Sequence, residues 1–92
     1  MKHASQSALD RLEPLLADIR EHAALKEKAR GTFYYRSRAL LHFHEHGDEF
    51  FADLRLKGDD FDRFPATTLK DQKALLKNLA AALAEPKAKT GR

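Results

Sequence analysis

The chain has 92 residues, no cysteine and a formal net charge of +3 at pH 7. A chain of this length forms a single small domain, and without cysteine it has neither a disulfide framework nor thiol chemistry. No apolar run approaches the roughly 20 residues that a membrane-spanning helix needs. Asp10, Arg11 and Glu13 interrupt the first apolar pattern, which argues against a signal peptide. With the lack of cysteine and of a long apolar run, we predict a cytoplasmic protein without a membrane partner.

The excess positive charge belongs to the end of the chain. Lys87, Lys89 and Arg92 follow the last proline without an acidic residue among them, and the rest of the chain carries equal numbers of basic and acidic side chains. We therefore predict one domain over residues 1–85 and a basic, flexible tail over residues 86–92. A domain with balanced charge offers little attraction for a nucleic-acid backbone.

The first part of the chain has a helical pattern. Apolar residues recur at spacings of three and four within residues 4–29, which predicts an amphipathic helix. Ser7 and Asp10 resemble a capping box. Pro14 is favourable only in a first turn, so either the helix kinks there or a short first piece gives way to a main helix that starts near Pro14. Gly31 is expected to end this helix.

The segment 39–56 predicts a β-hairpin. Gly47 and Asp48 suit a two-residue turn, which pairs His46 with Glu49. Side chains alternate between the faces of a strand, so one face of the hairpin is wholly apolar: Ala39, Leu41, Phe43, Ala52, Leu54 and Leu56. The other face holds Leu40, His42, His44, His46, Phe51, Asp53 and Arg55.

The remaining segments complete the predicted fold. Residues 32–36 favour β structure and are expected to form a third strand rather than to extend the hairpin. Residues 57–66 have the composition of a loop, and Thr68 with Asp71 resembles a capping box for a final helix that ends by Glu85. The order predicts an α+β fold, a two-layer helix–antiparallel β-meander–helix with two or three strands, in which both helices cover the apolar face.

The histidine-bearing face contains candidate metal ligands. An H-x-H pair on a strand places two imidazoles on one face about 7 Å apart at Cα, and imidazole suits zinc and other borderline divalent metals. His42 and His44 are the predicted ligands, with His46 or Asp53 as the third. Alternatively, Asp53 is not a ligand and instead fixes the ring tautomer of His42. The competing interpretation is that these histidines lie at a surface or an interface and form hydrogen bonds with Asp53 and Glu49.

The same face combines apolar, aromatic and cationic side chains, which is typical of a partner surface. We predict a small binding module of otherwise unknown function that self-associates through its sheet as a homodimer. A metal-binding protein is the first alternative, and a single-stranded nucleic-acid binder that stacks bases on this face is the second. The predicted interface residues are Tyr34, Arg36, Arg38, Leu40, Phe51 and Arg55.

Catalysis has less support in the sequence. Asp53 opposite His42 resembles an acid–base pair, but Ser37 is the only serine after Ser7, and no motif builds a pocket. We therefore predict a binding protein rather than an enzyme, with no catalytic residues and no cofactor apart from the alternative of zinc or another divalent metal.

The run FYYRSRALLHFHEHGDEFFADLRL, followed by FDRFPATT and a helix, resembles small uncharacterised bacterial proteins. These proteins share an aromatic strand, an L-H-F-H-E strand and an A-D-L-R strand, and the resemblance spans residues 9–84. It implies membership of a bacterial family that is a domain of unknown function. No activity or site residue is established for such proteins, so the resemblance implies no function.

Overall fold

The computed structural model describes residues 2–88 of the chain. None of the helices within this range is long and apolar enough to span a membrane. The elements in chain order are β1 (Lys2–His3), α1 (Gln6–Arg11), α2 (Glu13–Ile19), β2 (Leu25–Ala29), β3 (Thr32–Tyr35), β4 (Arg38–His46), β5 (Glu49–Lys57), β6 (Asp60–Pro65) and α3 (Leu69–Ala88).

The strands form one antiparallel sheet. Five of them follow the order β2-β3-β4-β5-β6, and β1 pairs with the end of β4 beyond β3. The predicted α+β class and meander are therefore confirmed, but the predicted count of two or three strands is wrong. The turn between β3 and β4 is built on Arg36 and Ser37, whose φ angles of 53° and 69° match the left-handed turns that suit hairpins.

The strands that the sequence did not reveal include both edges of the sheet. The β2 segment contains lysine, glutamate and alanine, which favour helix, and the β6 segment contains the aspartates of a predicted loop. Pairing with β3 and β5, respectively, overrides these preferences. Gly31 consequently lies in the β2–β3 turn with a φ of 81° and does not end a helix. Charged edge strands resist further pairing.

The N-terminal helical region consists of two short helices. Ser5 caps α1, because its Oγ accepts a hydrogen bond from the Ala8 N–H at 3.2 Å, so the predicted cap at Ser7 is wrong. The helix breaks at Leu12, and Pro14 lies in the first turn of α2, where its missing N–H costs no hydrogen bond. The predicted break near Pro14 is therefore confirmed, but the expected main helix is wrong, because α2 ends at Ile19 and Leu25–Ala29 form β2.

The predicted hairpin register is confirmed from the Leu41–Leu54 pair to the His46–Glu49 pair. Strand alternation therefore turns the apolar residues of β4 and β5 toward the helices and the histidines toward the opposite face. The core fills the space between that apolar face and the three helices. Its fully buried members include Leu16, Ile19, Leu41, Leu54, Leu75 and Leu79.

A β-bulge changes the faces at the start of β4. Phe33 pairs with Leu41 and Tyr34 pairs with Ala39, so Leu40 is the extra residue without a partner on β3. A bulge redirects the side chains beside it. Leu40 is 3% exposed and belongs to the core, so its predicted place on the outer face is wrong.

The last helix begins as predicted. The Oγ1 of Thr68 accepts a hydrogen bond from the Asp71 N–H at 3.0 Å, and the Asp71 carboxylate accepts one from the Thr68 N–H at 3.2 Å, which is a capping box. The helix runs to Ala88, beyond its predicted end at Glu85, because the proline in its last turn removes one backbone donor without ending it. Residues 89–92 of the predicted tail lie outside the described residues.

Candidate metal centre

Three histidines meet on the sheet face that is turned away from the helices. His42 and His44 alternate along β4, and His3 comes from β1, where it pairs with His44. The strands β1 and β3 lie one after the other along the same edge of β4. This pairing brings the beginning of the chain to its middle, and we call His3, His42 and His44 the histidine cluster.

The imidazole rings of the histidine cluster are in contact. The ring centroids of His44 and His3 are 4.8 Å apart, and those of His44 and His42 are 5.0 Å apart. One nitrogen from each ring lies within 4.8 Å of a nitrogen of the other two. A hydrogen bond of 3.1 Å joins Nδ1 of His42 and Nε2 of His44. No other three metal-ligating side chains within residues 2–88 converge in this way.

Asp53 joins the cluster from β5. It pairs with His42 in the register, as predicted, but its Oδ2 lies 3.0 Å from Nε2 of the diagonal neighbour His44. Arg63 on β6 donates from Nε to Oδ1 at 2.8 Å and from Nη2 to Oδ2 at 2.9 Å, which is a bidentate ion pair. The side chains of His44 and Asp53 are each 12% exposed. The acid–base pair that the sequence suggested therefore forms with His44 rather than with His42.

The surroundings control the protonation of the cluster. The pKa of His42 lies below its usual value, mainly because burial disfavours the charged imidazolium and also because His44 is beside it. The pKa of Asp53 is lowered chiefly by the hydrogen bonds from Arg63. Near neutral pH, His42 is therefore neutral and Asp53 is ionised, which are the protonation states that metal ligands require.

A single proton can link the groups around His44. Its Nε2 lies within hydrogen-bond distance of both the Asp53 carboxylate and Nδ1 of His42. A proton on Nε2 is donated to Asp53, and the other nitrogen, Nδ1, is buried without a hydrogen-bond partner among the described residues. A divalent cation can use the same lone pairs; if it binds Nε2 of His44, the ring proton moves to Nδ1, because a neutral imidazole binds a metal through its unprotonated nitrogen.

The cluster is covered on one side and open on the other. Phe61 of β6 packs against His42 with ring centroids 5.0 Å apart, and Phe61 itself is 38% exposed. His3 is exposed and His42 is half-buried, whereas the His44 side chain is mostly buried. The cluster is therefore exposed to solvent at His3, on the β1 side.

The structure brings three of the four predicted metal ligands together and leaves the fourth outside the cluster. His42, His44 and Asp53 come together, but His46 is the exposed last residue of β4 and lies across the turn from Glu49. Sequence reasoning missed His3, because a two-residue strand has no periodicity to recognise. The sequence signal that could have identified His3 is its position shortly before Ser5, the residue that caps α1.

Two of the predicted interface residues, Tyr34 and Arg36, lie at the end of β3, and a third, Phe51, lies on β5 opposite His44. Tyr34 is half-buried, with the Lys28 ammonium 4.8 Å from its ring centroid. The exposed Arg36 stacks on Tyr35 at 5.0 Å, and Phe51 on β5 is half-buried. Aromatic rings with adjacent cations are compatible with base stacking, and single-stranded nucleic-acid binding stays a prediction.

The other three predicted interface residues lie where β4 begins and β5 ends. The exposed Arg38 forms an ion pair with Asp59, and Arg55 is half-buried and donates to backbone carbonyls. Because Leu40 is buried in the core, the six residues do not share one outer surface. Self-association stays a prediction, and the acidic residues and terminal proline of β6 oppose pairing along that edge.

Comparison with known proteins adds no assignment to this site. No protein-family model, no curated protein and no solved structure matches the chain. A function must therefore be inferred from the geometry on the sheet face, where three imidazoles converge beside a carboxylate that an arginine holds in place.

Proposed function

We propose that the protein binds a divalent transition metal, zinc foremost, through His3, His42 and His44. The observation that carries this proposal is the convergence of three imidazole nitrogens to within 4.8 Å of one another. Neutral imidazoles are preferred ligands of zinc, copper and nickel. Three histidines from two separate strands are a more specific signal than the H-x-H pair alone, because the third ligand depends on tertiary pairing.

The distances within the site suit a small tetrahedral ion. Zinc–nitrogen bonds of about 2.0 Å at tetrahedral angles separate neighbouring donor atoms by about 3.3 Å. The 3.1 Å between Nδ1 of His42 and Nε2 of His44 and the 3.0 Å between that Nε2 and Oδ2 of Asp53 are close to this value. The exposed His3 needs the largest adjustment, and it lies on the short N-terminal strand. Asp53 is therefore our candidate for the fourth ligand.

Arg63 limits the charge that Asp53 offers to a metal. Its two hydrogen bonds orient the Asp53 carboxylate, as residues that hydrogen-bond to metal ligands commonly do. Its positive charge also repels a cation, so we expect moderate affinity and ready exchange rather than a permanently bound structural ion. Acid should weaken binding, because protons compete for the imidazoles.

Calorimetric titration of untagged, chelator-treated protein with zinc at pH 7.5 tests the proposal. We expect one ion per chain. At a free zinc concentration of a hundred times Kd, the free energy of unfolding should rise by about 2.7 kcal/mol, and Tm by roughly 10–20 °C for a domain of this size. Cobalt in place of zinc should give the visible absorption of a tetrahedral ion.

Histidine variants distinguish the cluster from general binding by imidazoles. His3→Gln should weaken zinc binding at least about tenfold. Even the loss of a residue that only hydrogen-bonds to a metal ligand lowers metal affinity by about ten- to hundredfold. His46→Gln is the matched control, because it removes a strand histidine outside the cluster. Equal zinc affinity in both variants would contradict the three-histidine site, and a wild-type protein that zinc does not stabilise would contradict metal binding.

A further inference from the structure

A cleft of about 710 Å³ opens between α3 and the part of the sheet where β4 begins and β5 ends. This volume falls in the range of small-molecule sites, roughly 300–1,000 Å³. Leu40 and Leu56 line the cleft from the sheet, and Ala81 and Ala82 line it from α3. The small alanine side chains leave space that longer side chains on the helix would fill. No residue of the histidine cluster lines the cleft, so it is independent of the proposed metal centre.

The bulge in β4 gives the cleft part of its apolar lining. Regular alternation would place Leu40 on the face of the histidines. The extra residue instead puts its side chain in the core, where it also lines the cleft. The bulge therefore adds a leucine side chain to the lining of the cleft, which favours the binding of an apolar group there.

Two arginines supply positive charge to the same cleft. Arg55 is half-buried, and its guanidinium is held by the carbonyl oxygens of Ala39 at 2.9 Å and Gly58 at 3.4 Å. Both acceptors are uncharged, and no ion pair of Arg55 occurs among the described residues. Hydrogen bonds to neutral carbonyls fix the position of this cation while leaving its charge available.

The second cation is held only loosely. Arg38 pairs with Asp59, whose side chain is 85% exposed. Such an exposed pair contributes little, so an incoming anion can replace Asp59. No acidic residue lines the cleft in the described part of the chain, whereas Tyr35 and Asn78 add polar groups. Guanidinium groups recognise carboxylate and phosphate oxygens through paired hydrogen bonds.

We propose that this cleft binds a small amphiphilic anion, with its carboxylate or phosphate group at Arg38 and Arg55 and a short alkyl chain along Leu40, Leu56 and Ala82. The pairing of fixed cations with an apolar lining selects this class of ligand. A purely apolar ligand leaves the arginines without partners, and an inorganic anion leaves the apolar lining in water.

Calorimetric titration of the full chain with octanoate, octyl phosphate and octanol tests the proposal. We expect saturable one-to-one binding of either or both anions and at least about tenfold weaker binding of the neutral alcohol. The preferred anion identifies the head group. The titrations are run with a chelator and again with zinc, and binding should be the same in both, because the cleft and the histidine cluster share no residue.

Three variants and one control locate the binding. Arg55→Gln and Arg38→Gln should each weaken binding by about ten- to hundredfold, and Ala82→Leu should block the cleft without changing its charge. Arg11→Gln is the control, since it removes an equal charge from α1, outside the cleft. If Arg55→Gln does not fold, Arg38→Gln and Ala82→Leu still test whether the ligand binds in the cleft. Absence of saturable binding of both anions at millimolar concentration, equal binding of octanol, or wild-type affinity in the folded cleft variants would overturn the proposal.

Discussion

Replacement of Asp53 by asparagine is expected to lower the free energy of unfolding by about 2 kcal/mol at pH 7. The Asp53 side chain is 12% exposed and accepts two hydrogen bonds from Arg63, with Nε2 of His44 a further 3.0 Å from Oδ2. Asparagine has nearly the same shape, but it has no charge. One of its two terminal atoms is also a donor, which faces the donors of Arg63 or His44.

The magnitude follows from the number of interactions lost and from their solvent exposure. A hydrogen bond to a charged group contributes about 1.5–3 kcal/mol when it is buried. Arg63 is 46% exposed, so water replaces part of what its guanidinium loses. Two weakened charge-assisted hydrogen bonds, discounted for this hydration, leave about 2 kcal/mol for Asp53. At roughly 1 kcal/mol per molar urea for a small domain, the unfolding midpoint should fall by about 2 M.

Urea unfolding followed by circular dichroism, with a chelator present, measures this effect. The matched control is Asp62→Asn, which removes an exposed carboxylate next to Arg63 along β6 and should change stability by less than about 0.5 kcal/mol. Because the pKa of Asp53 is lowered in the folded state, its contribution is complete above its unfolded value of about 3.9 and disappears as pH falls through the folded value. A loss no larger than that of Asp62→Asn would refute the anchoring role of Asp53.

Three further predictions concern the core, a turn and the histidines. Leu40→Ala should cost about 2–4 kcal/mol, because its side chain is 3% exposed, whereas Leu69→Ala at a 76% exposed position should be nearly neutral in urea unfolding. Gly31→Ala should reduce Tm more than Gly47→Ala; both have positive φ, but only at Gly31 does an added Cβ approach another side chain, at 2.7 Å. With a chelator present, His42→Gln should flatten the rise of stability as pH increases toward the unfolded pKa of about 6.5, because the unfolded chain takes up a proton that folded His42 resists; an unchanged slope would exclude that contribution.

The local parts of the fold were accessible from the sequence. The two-residue turn at Gly47 and Asp48 and the alternation of apolar side chains were enough to predict the β4–β5 register, because a shift by one residue exposes the core face. Thr68 and Asp71 likewise predicted the start of α3, because a capping box satisfies backbone donors within a single turn. These features depend on residues close together in the chain.

The edge strands were not accessible in this way. Leu25–Ala29 has a helix-favouring composition and Asp60–Pro65 has a loop-favouring one, yet both become strands by pairing with a neighbour. The hydrogen bonds that a sheet edge offers outweigh weak local preferences. The bulge at Leu40 also depends on the register with β3, which alternation within β4 cannot reveal.

The histidine face shows the same division. The sequence by itself determined that His42 and His44 share a face with Asp53 opposite His42, because strand alternation and turn length fix those positions. Only the tertiary structure decided that His3 completes the cluster, that His46 lies outside it, and that Asp53 contacts the diagonal His44 while Arg63 holds it. The physical reason is that these contacts depend on pairing with strands distant in the chain and on side-chain directions that a linear pattern does not contain.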